Sequence, residues 1–325
     1  LAQTLSLLFL SRLIAGIMGG NISTAQAYVA DVTTHEDRVR GMGLIGAAFG
    51  IGFVMGPALA TALVNPARRD LFHLTAAHQY ALAGVFASLL SLTSFLLVLF
   101  KLPETVTKKN RAPEKGSRAS IFTKAFWCSI AKMGKETPDG RYLFPLIMFS
   151  MFLIASAQAS LYSSFPLFCR HGLKMSIDQV GLLFVYMGLI AIVIQGALIK
   201  RLTEVFGETT LFVTGGALMA SGLALIPFAR STTWLILFLG IMSIGGSLNG
   251  PTLNSLISKE ADPDQVGATM GTSQGIASLG RVVGPTWGGF LYDLWYRAPF
   301  LLTAGFLALT IAIGLNVKKR HGKAD

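Results

Sequence analysis

Two arginines, Arg12 and Arg281, are the charged residues that lie inside long apolar stretches of this sequence. A guanidinium at the centre of a bilayer costs about 2.5–3.5 kcal/mol on insertion scales, so each should face other helices and have a partner. Arg281 lies about fourteen residues into its stretch, too deep to reach an interface, and its partner is a carboxylate, a backbone carbonyl or an anionic group of a ligand. Arg12, about six residues deep, can instead extend its side chain to the outer interface.

Seven uncharged polar residues in the apolar stretches are further candidates for binding a ligand. They are Asn21, Thr24, Gln26, Gln158, Tyr162, Asn249 and Asn254. The spacings of Asn21 with Thr24 and of Gln158 with Tyr162 place each pair on one helix face. Hydrogen bonds between helices explain such residues equally well. The segment Asn249-Gly250-Pro251 predicts a broken helix, which is tolerated at mid-depth mainly where backbone lines a cavity.

Clusters typical of enzymes and metal sites are missing from the sequence. The histidines are scattered, and there is no Cys/His cluster, no phosphate-binding loop and no Ser/His/Asp arrangement. The sequence therefore predicts no metal and no cofactor, and a membrane enzyme is a weak competitor among the possible functions.

The elements that position these residues are apolar helices. The chain of 325 residues is 52% hydrophobic and 13% charged, with a mean hydropathy of +0.59, which is unusual for a water-soluble globule. Runs long enough to span a bilayer recur along it. The nine predicted spans are 7-30, 41-64, 79-100, 142-168, 179-199, 209-229, 233-257, 267-292 and 298-317.

The net charge of +11 is distributed unevenly between the two sides of these spans. Nineteen Lys or Arg lie on one side, in the segments 31-40, 101-141, 200-208, 258-266 and 318-325. The segments on the other side hold six. This bias predicts that the first group and the C-terminus are cytoplasmic and that the protein is a multi-pass membrane protein. It also argues against a nucleic-acid partner, since the basic residues do not form one patch.

The sequence contains an internal repeat at an offset of 228 residues. Gly52, Gly56 and Pro57 align with Gly280, Gly284 and Pro285, and the match is ungapped over two helices and their loop. Six spans separate the copies, so the repeat unit is six helices. Three helices precede the second copy within its unit, so we expect the chain to begin at helix 4 of a twelve-helix protein.

The chain resembles the major facilitator superfamily in three segments. They are Arg12 with the run Leu13 to Gly20, the loop from Asp31 to Gly41, and the motif Gly52-x-x-x-Gly56-Pro57. It is most similar to the drug:proton antiporter branch that includes the bacterial tetracycline exporters. The resemblance covers essentially the whole chain. It implies an all-α membrane protein with nine visible transmembrane helices, equivalent to helices 4-12 of a two-bundle transporter.

The resemblance also implies a domain organisation and a function. Residues 1-100 would complete a first bundle, 101-141 a cytoplasmic basic linker and 142-325 a second bundle. The expected function is proton-coupled export of hydrophobic or amphipathic small molecules by alternating access, in a bacterial inner membrane and as a monomer when complete. A metabolite uniporter or symporter is the alternative within transport, and a transport-inactive fragment that binds a partner is the alternative outside it.

The resemblance assigns specific roles to several residues. The glycines and prolines of the repeated motif are expected at a seam that moves between the bundles, with static helix packing as the alternative. Asp31, Arg38 and Arg40 are expected to form a cytoplasmic latch, and Arg12 to lie near the proton pathway. Helices 1, 4, 7 and 10 surround the cavity in this fold, so the seven polar residues become its candidates. Since no Asp or Glu lies well inside any span, a coupling acid is expected on helices before residue 1. The alternatives are that Asp31 or Asp293 at a helix end serves, or that the protein is not proton-driven.

Overall fold

The computed structural model describes residues 4–64, 81–105, 140–262 and 265–321, and these residues form helices almost throughout. The predicted linker 101-141 lies outside the described residues except at its two ends. In chain order the helices are α1 (Leu5–Ile17), α2 (Asn21–Val32), α3 (Arg38–Val64), α4 (Ala81–Lys101), α5 (Gly140–Gly172), α6 (Ile177–Ala191), α7 (Ile199–Phe206), α8 (Glu208–Leu225), α9 (Thr232–Glu260), α10 (Val266–Leu294) and α11 (Ala298–His321).

Short irregular helices join some of these elements into longer spans. A 3₁₀ turn, Met18–Gly20, connects α1 to α2, and a second, Ile226–Phe228, extends α8. A π-helix, Ile192–Leu198, connects α6 to α7. Each of the nine predicted spans therefore corresponds to one continuous helical rod, and the prediction of an all-α membrane fold is confirmed.

Eight rods in the described part of the chain are long and apolar enough to cross a membrane. They are Leu5–Val32, Arg38–Gly56, Leu82–Lys101, Phe144–Gly172, Asp178–Phe206, Glu208–Phe228, Thr232–Glu260 and Ala298–Asn316. The ninth predicted span, α10, is absent from this set because it carries several polar residues. Two of them, Thr269 and Ser273, are completely buried against other helices. Polar residues are accommodated there because they face protein and not lipid.

Local sequence signals explain several helix ends. Ser176 and Gln179 form a capping box at the start of α6, each side chain bonding the backbone N–H of the other. Gly207 begins α8 with φ +75°, a left-handed conformation that favours glycine. Pro251 and Pro285 lie inside unbroken helices α9 and α10. The expected break at Asn249-Gly250-Pro251 is therefore wrong, because the helix continues through the proline.

The hydrophobic core lies among the helices of residues 140–321, which we call the C-terminal half. Phe144, Phe165, Leu223, Leu235 and Phe300 are at most 1% exposed and come from several different helices. The most extensive packing joins α5 to α10 and α8 to α9, and α11 packs on both pairs. This half is therefore a continuously packed bundle.

Residues 4–105, the N-terminal half, are packed less deeply. No residue of α1 is buried, and the leucines and phenylalanines of α4 are largely exposed. Apolar side chains in this position suit contact with lipid chains. The other two helices cross to the C-terminal half: α2 packs on α10, and α3 packs on α6, the π-helix and α9. The candidate functional site lies at this crossing.

Candidate functional site

The two halves pack most tightly near the start of α3. Val39, Met42 and Ala47 are buried against the C-terminal half, whereas Ile51 and Met55, further along the helix, are about half exposed (50% and 48%). We call the end of the molecule that carries the α2–α3 loop the loop end. The halves are thus closed against each other at the loop end.

Three glycines of α3 let the halves approach closely there, and we call them the glycine face: Gly43, Gly46 and Gly50. A Cβ added to Gly43 would lie 2.9 Å from the carbonyl oxygen of Gln195, and one added to Gly50 would lie 3.0 Å from that of Gly188. Gly46 lies directly against the Gln195 side-chain amide. Spacings of three and four residues place these glycines on one side of the helix, so backbone meets backbone across the interface.

The glycines of the repeated motif occupy different positions. Nothing lies within 4 Å of a Cβ added to Gly52 or Gly56 among the described residues, and Pro57 lies within α3. Gly280 and Gly284 do pack closely, but on α5 in the same half: a Cβ on Gly280 would lie 2.7 Å from the carbonyl oxygen of Phe152. In the second copy, which also contains Pro285, the motif therefore packs two helices of the same half against each other, and its expected role at a moving seam stays a prediction.

An ion pair joins the halves at the loop end. Lys200 Nζ of α7 lies 2.8 Å from Asp37 Oδ1 in the α2–α3 loop, and 4.0 Å from Glu204 Oε1. Both Asp37 and Lys200 are close to half exposed. The hydrogen bond from Lys200 and its positive charge lower the pKa of the Asp37 carboxyl below its ordinary value. The pair therefore exists at neutral pH as an ionised contact between the halves.

The three predicted latch residues, Asp31, Arg38 and Arg40, do not take part in this ion pair. Arg38 is buried and donates from Nη2 to the carbonyl oxygens of Ala30 (2.7 Å) and Thr33 (3.3 Å), so it caps the end of α2. Asp31 accepts a hydrogen bond from Thr105 Oγ1 at 2.9 Å. Arg40 is exposed and lines a shallow cleft beside α7. The hydrogen bonds of Arg38 and Asp31 organise the N-terminal half, whereas Arg40 lies beside α7 and Arg38 lies near the charge of Glu208 in the other half.

Between the halves lies a cavity of about 390 Å³, which we call the central cavity. Its walls come from α2, α3, α5, α6, the π-helix, α8, α9 and α10. Apolar and aromatic side chains form most of them. Tyr162 lies between Phe53 of the N-terminal half and Phe184 of α6, with ring centroids 6.3 Å and 6.1 Å away. A largely apolar cavity with a few polar groups is typical of sites for small organic molecules.

Five predicted residues line the central cavity: Gln26, Gln158, Tyr162, Asn254 and Arg281. Arg281 donates from Nη2 to Ser278 Oγ at 2.9 Å, and no carboxylate pairs with it in the part of the chain that the structure describes. None of the described residues that line the cavity is acidic. The cavity wall therefore offers one positive charge and several amides to a ligand.

Two glutamines that were not predicted as site residues provide further polar groups at or beside the cavity. Gln274 of α10 donates from Nε2 to Gln26 Oε1 at 3.0 Å, which joins the halves through a hydrogen bond beside the cavity. Gln195 lines the cavity from the π-helix. Its Oε1 and Asn254 Oδ1 are buried and accept no hydrogen bond from any described residue. Unpaired buried acceptors are costly, and each of the two can accept a hydrogen bond from a ligand once its side chain turns toward the cavity.

The other predicted residues do not line the cavity. Asn249 is 1% exposed and donates from Nδ2 to the Phe212 carbonyl oxygen at 3.1 Å, joining α9 to α8. Thr24 is exposed and donates to the Gly20 carbonyl oxygen at 3.2 Å. Asn21 and Arg12 lie on the same N-terminal rod, where Arg12 is exposed. The expected cavity roles of Asn21, Thr24 and Asn249 are therefore not seen, because their helix faces point elsewhere.

Comparison with known sequences finds the same family along the chain. The family model of the Major Facilitator Superfamily matches residues 1–201 and 147–324. The human Hippocampus abundant transcript 1 protein is 26% identical over 283 residues, covering 87% of this chain and 54% of that protein. Multidrug resistance protein 1 of Bacillus subtilis (strain 168) is 28% identical over 330 residues, covering all of this chain and 77% of that protein.

A solved structure shows the same arrangement of helices. The crystal structure of the human organic anion transporter MFSD10 (TETRAN) matches with a TM-score of 0.79 and 27% sequence identity, over 94% of this chain and 70% of that one. The chain spans about half the length (54%) of the first curated relatives that it matches. With nine helical rods, a cavity between two halves and a family model that covers almost every residue, the chain belongs to the Major Facilitator Superfamily.

Proposed function

We propose that this chain moves amphipathic organic molecules across a membrane through the central cavity, by alternating access between its two halves. The observation that carries the proposal is the cavity itself. It lies between the halves, and the glycine face and the Asp37–Lys200 pair close it at the loop end. Close backbone packing without interlocking side chains permits one half to rock against the other.

The charge of the cavity supports a preference for anions. Arg281 is its charged lining residue in the described chain, and the amides of Gln158, Gln195 and Asn254 can donate further hydrogen bonds. A charged group deep in a membrane protein marks a substrate or ion path by default. One structural relative is named an organic anion transporter, which agrees with this chemistry.

We propose that proton entry drives export of the substrate. The likeness to Multidrug resistance protein 1 of Bacillus subtilis supports export of hydrophobic compounds. The positive-inside distribution supports a cytoplasmic loop end, which makes the structure outward-facing. Uniport of an organic anion is the second candidate, and Arg281 favours it, because it can balance the ligand charge without a proton.

The test uses proteoliposomes and two fluorescent probes of matched size and hydrophobicity, one anionic and one cationic. We expect faster movement of the anion, and Arg281→Gln should lower kcat/KM for it by about tenfold or more, the loss expected for one charge-assisted hydrogen bond. Arg170→Gln, exposed and outside the cavity, is the matched control and should leave the rate unchanged. Equal rates for the two probes would rule out the anion preference, and equal rates for Arg281→Gln and the unsubstituted chain would rule out Arg281 as its cause.

A pH gradient imposed across the same vesicles tests the coupling separately. Accumulation of probe against its gradient supports proton-driven export, whereas equilibration at any pH gradient supports uniport. Probe binding without any movement in either condition would contradict transport and favour a binding protein.

A further inference from the structure

A second cavity lies at the end of the C-terminal half opposite the loop end, and we call it the outer cavity. Its volume is about 680 Å³, and it shares no lining residue with the central cavity. The end of α5, the 3₁₀ turn after α8 and the α10–α11 loop surround it. Its size falls within the range of about 300–1,000 Å³ that is usual for small-molecule sites.

Three nitrogen-rich side chains line this cavity: His171, Arg230 and Arg297. Neither Asp nor Glu is among the described residues that line it, and the nearby Asp293 lies outside the lining. Two guanidiniums without an acid between them attract an anion. Phosphate suits guanidinium groups particularly well, because two parallel N–H groups can bond two of its oxygens.

Arg297 is held in place in a way that leaves donors available. Its Nε donates to Tyr296 Oη at 2.7 Å, and its Cζ lies 4.9 Å from the Phe228 ring centroid and 5.1 Å from that of Tyr296. These cation–π contacts fix the guanidinium plane. Neither Nη1 nor Nη2 bonds any residue that the structure describes. Both groups are therefore pre-positioned to bind an oxyanion at little entropic cost.

Aromatic side chains provide the rest of the lining. Tyr296 stacks on buried Phe168, with ring centroids 6.4 Å apart, and Tyr292 lies 6.5 Å from the His171 ring. Phe228 is 49% exposed beside Arg297. An apolar body attached to the anion can lie against these rings. The outer cavity therefore combines a cationic part with an aromatic part.

We propose that the outer cavity binds a phosphate-bearing amphiphile, with the phosphate against Arg230, Arg297 and His171 and the apolar part against the aromatic rings. The phosphate can belong to an anionic lipid or to a soluble aromatic phosphate, since both chemistries are available at the edge of a membrane. The site does not depend on the transport function proposed for the central cavity.

The experiment measures the Tm of the purified full chain in a neutral detergent with four added probes. Dioleoylphosphatidylglycerol is compared with dioleoylphosphatidylcholine, and 1-naphthyl phosphate with 1-naphthol. We expect at least one anionic probe to raise the Tm in a saturable way, and its matched partner of zero net charge to do so much less.

Variants then locate the binding. Arg230→Gln and, independently, His171→Gln should each weaken the apparent affinity for the active anionic probe, Arg230→Gln by about tenfold or more. Arg170→Gln, beside His171 but outside the cavity, should leave the affinity unchanged. The probe-free Tm of each variant shows whether it folds normally.

The probes separate the two sources. A response to phosphatidylglycerol alone assigns the cavity to a lipid headgroup, a response to naphthyl phosphate alone assigns it to a soluble ligand, and a response to both establishes a shared phosphate site. The proposal is overturned if neither anionic probe raises the Tm, or if Arg170→Gln weakens binding as much as Arg230→Gln and His171→Gln do.

Discussion

At the scale of single residues, Asn249 and Asn254 show how chemically similar side chains acquire different roles. Both lie in α9, five residues apart, which corresponds to about 140° around a helix. Asn249 turns toward α8 and bonds the Phe212 carbonyl oxygen, whereas Asn254 lines the central cavity. The identity of a polar residue was readable from sequence, but its direction depends on which helices surround it.

This difference predicts opposite phenotypes for the same substitution. Asn249→Leu removes a buried hydrogen bond between helices, and we expect a loss of stability of about 1 kcal/mol with substrate affinity unchanged. Asn254→Leu should weaken the binding of a transported probe while the Tm stays close to that of the unsubstituted chain. Thermal unfolding and equilibrium binding on the same samples distinguish the two. A large loss of probe affinity in Asn249→Leu would show that this residue contacts the ligand after all.

The same reasoning explains Gln195. Its position within the apolar run 179-199 was visible, yet a regular helix and a π-helix orient it differently. A π-helix adds one residue per turn and rotates the residues after it about the helix axis. No residue pattern specifies this insertion, so neither the cavity position of Gln195 nor its contact with Gly46 could be predicted from the sequence.

At the scale of elements, α3 carries two sets of glycines with different surroundings. The glycine face (Gly43, Gly46 and Gly50) meets the C-terminal half, whereas Gly52 and Gly56 meet nothing within 4 Å in the described structure. The repeat indicated that glycines in this helix matter, and small-residue spacing occurs in both sets. The positions of α6 and the π-helix decide which set forms the interface, and they are a property of the tertiary arrangement.

Two substitutions separate the sets. In Gly50→Val, the Cβ atom by itself would lie 3.0 Å from the Gly188 carbonyl oxygen, and the two methyl groups need further space. The halves must therefore move apart, and we expect the transport rate to fall at least severalfold. Gly52→Val, two residues away and in open space, is the matched control and should transport nearly normally. Spin labels on α3 and α6 should show a longer distance in Gly50→Val only. Equal transport by both variants would mean that close packing at Gly50 is dispensable.

The internal repeat correctly predicted which helices form related pairs. It predicted two related helix pairs, and the structure contains them as α2 with α3 and as α9 with α10. Equivalent hydrogen bonds accompany the symmetry, from Thr24 to Gly20 and from Thr252 to Leu248. Burial is not equivalent, because Thr252 is completely buried and Thr24 is exposed. Hydrophobic length and internal symmetry thus define the fold, while the surroundings of each copy depend on tertiary packing.

At the scale of the whole molecule, the Asp37–Lys200 pair is the ionic contact between the halves that the described residues show. Replacing either residue by a neutral amide, Asp37→Asn or Lys200→Gln, should favour opening at the loop end. The double variant Asp37→Lys with Lys200→Asp, which exchanges the two charges, should restore closure. The measurement is the labelling rate of Ser243→Cys in the central cavity by a membrane-impermeant thiol reagent added at the loop end. If the charge exchange labels as fast as the single variants, the pair does not control closure.

The pH dependence of this closure depends on the direction of the pKa shift. Lys200 lowers the pKa of Asp37, so the pair supports the closed state wherever Asp37 is ionised, and its contribution is lost only as pH falls through that lowered value. Labelling controlled by the pair should therefore stay constant between about pH 5 and pH 8. A proton that drives transport must act on another group.

The crossing of Gly50 with Gly188 has a mechanical consequence for this ion pair. Asp37 lies thirteen residues from Gly50, most of them helical, which corresponds to about 20 Å at 1.5 Å per residue. If the halves pivot at Gly50, the backbone contact of the glycine face that is farthest from the loop end, a rotation of about 10° moves the loop end by about 3 Å. That displacement is enough to break a 2.8 Å ion pair. A small rotation of α3 at the Gly50–Gly188 contact is therefore amplified along the helix and separates Asp37 from Lys200 at the loop end.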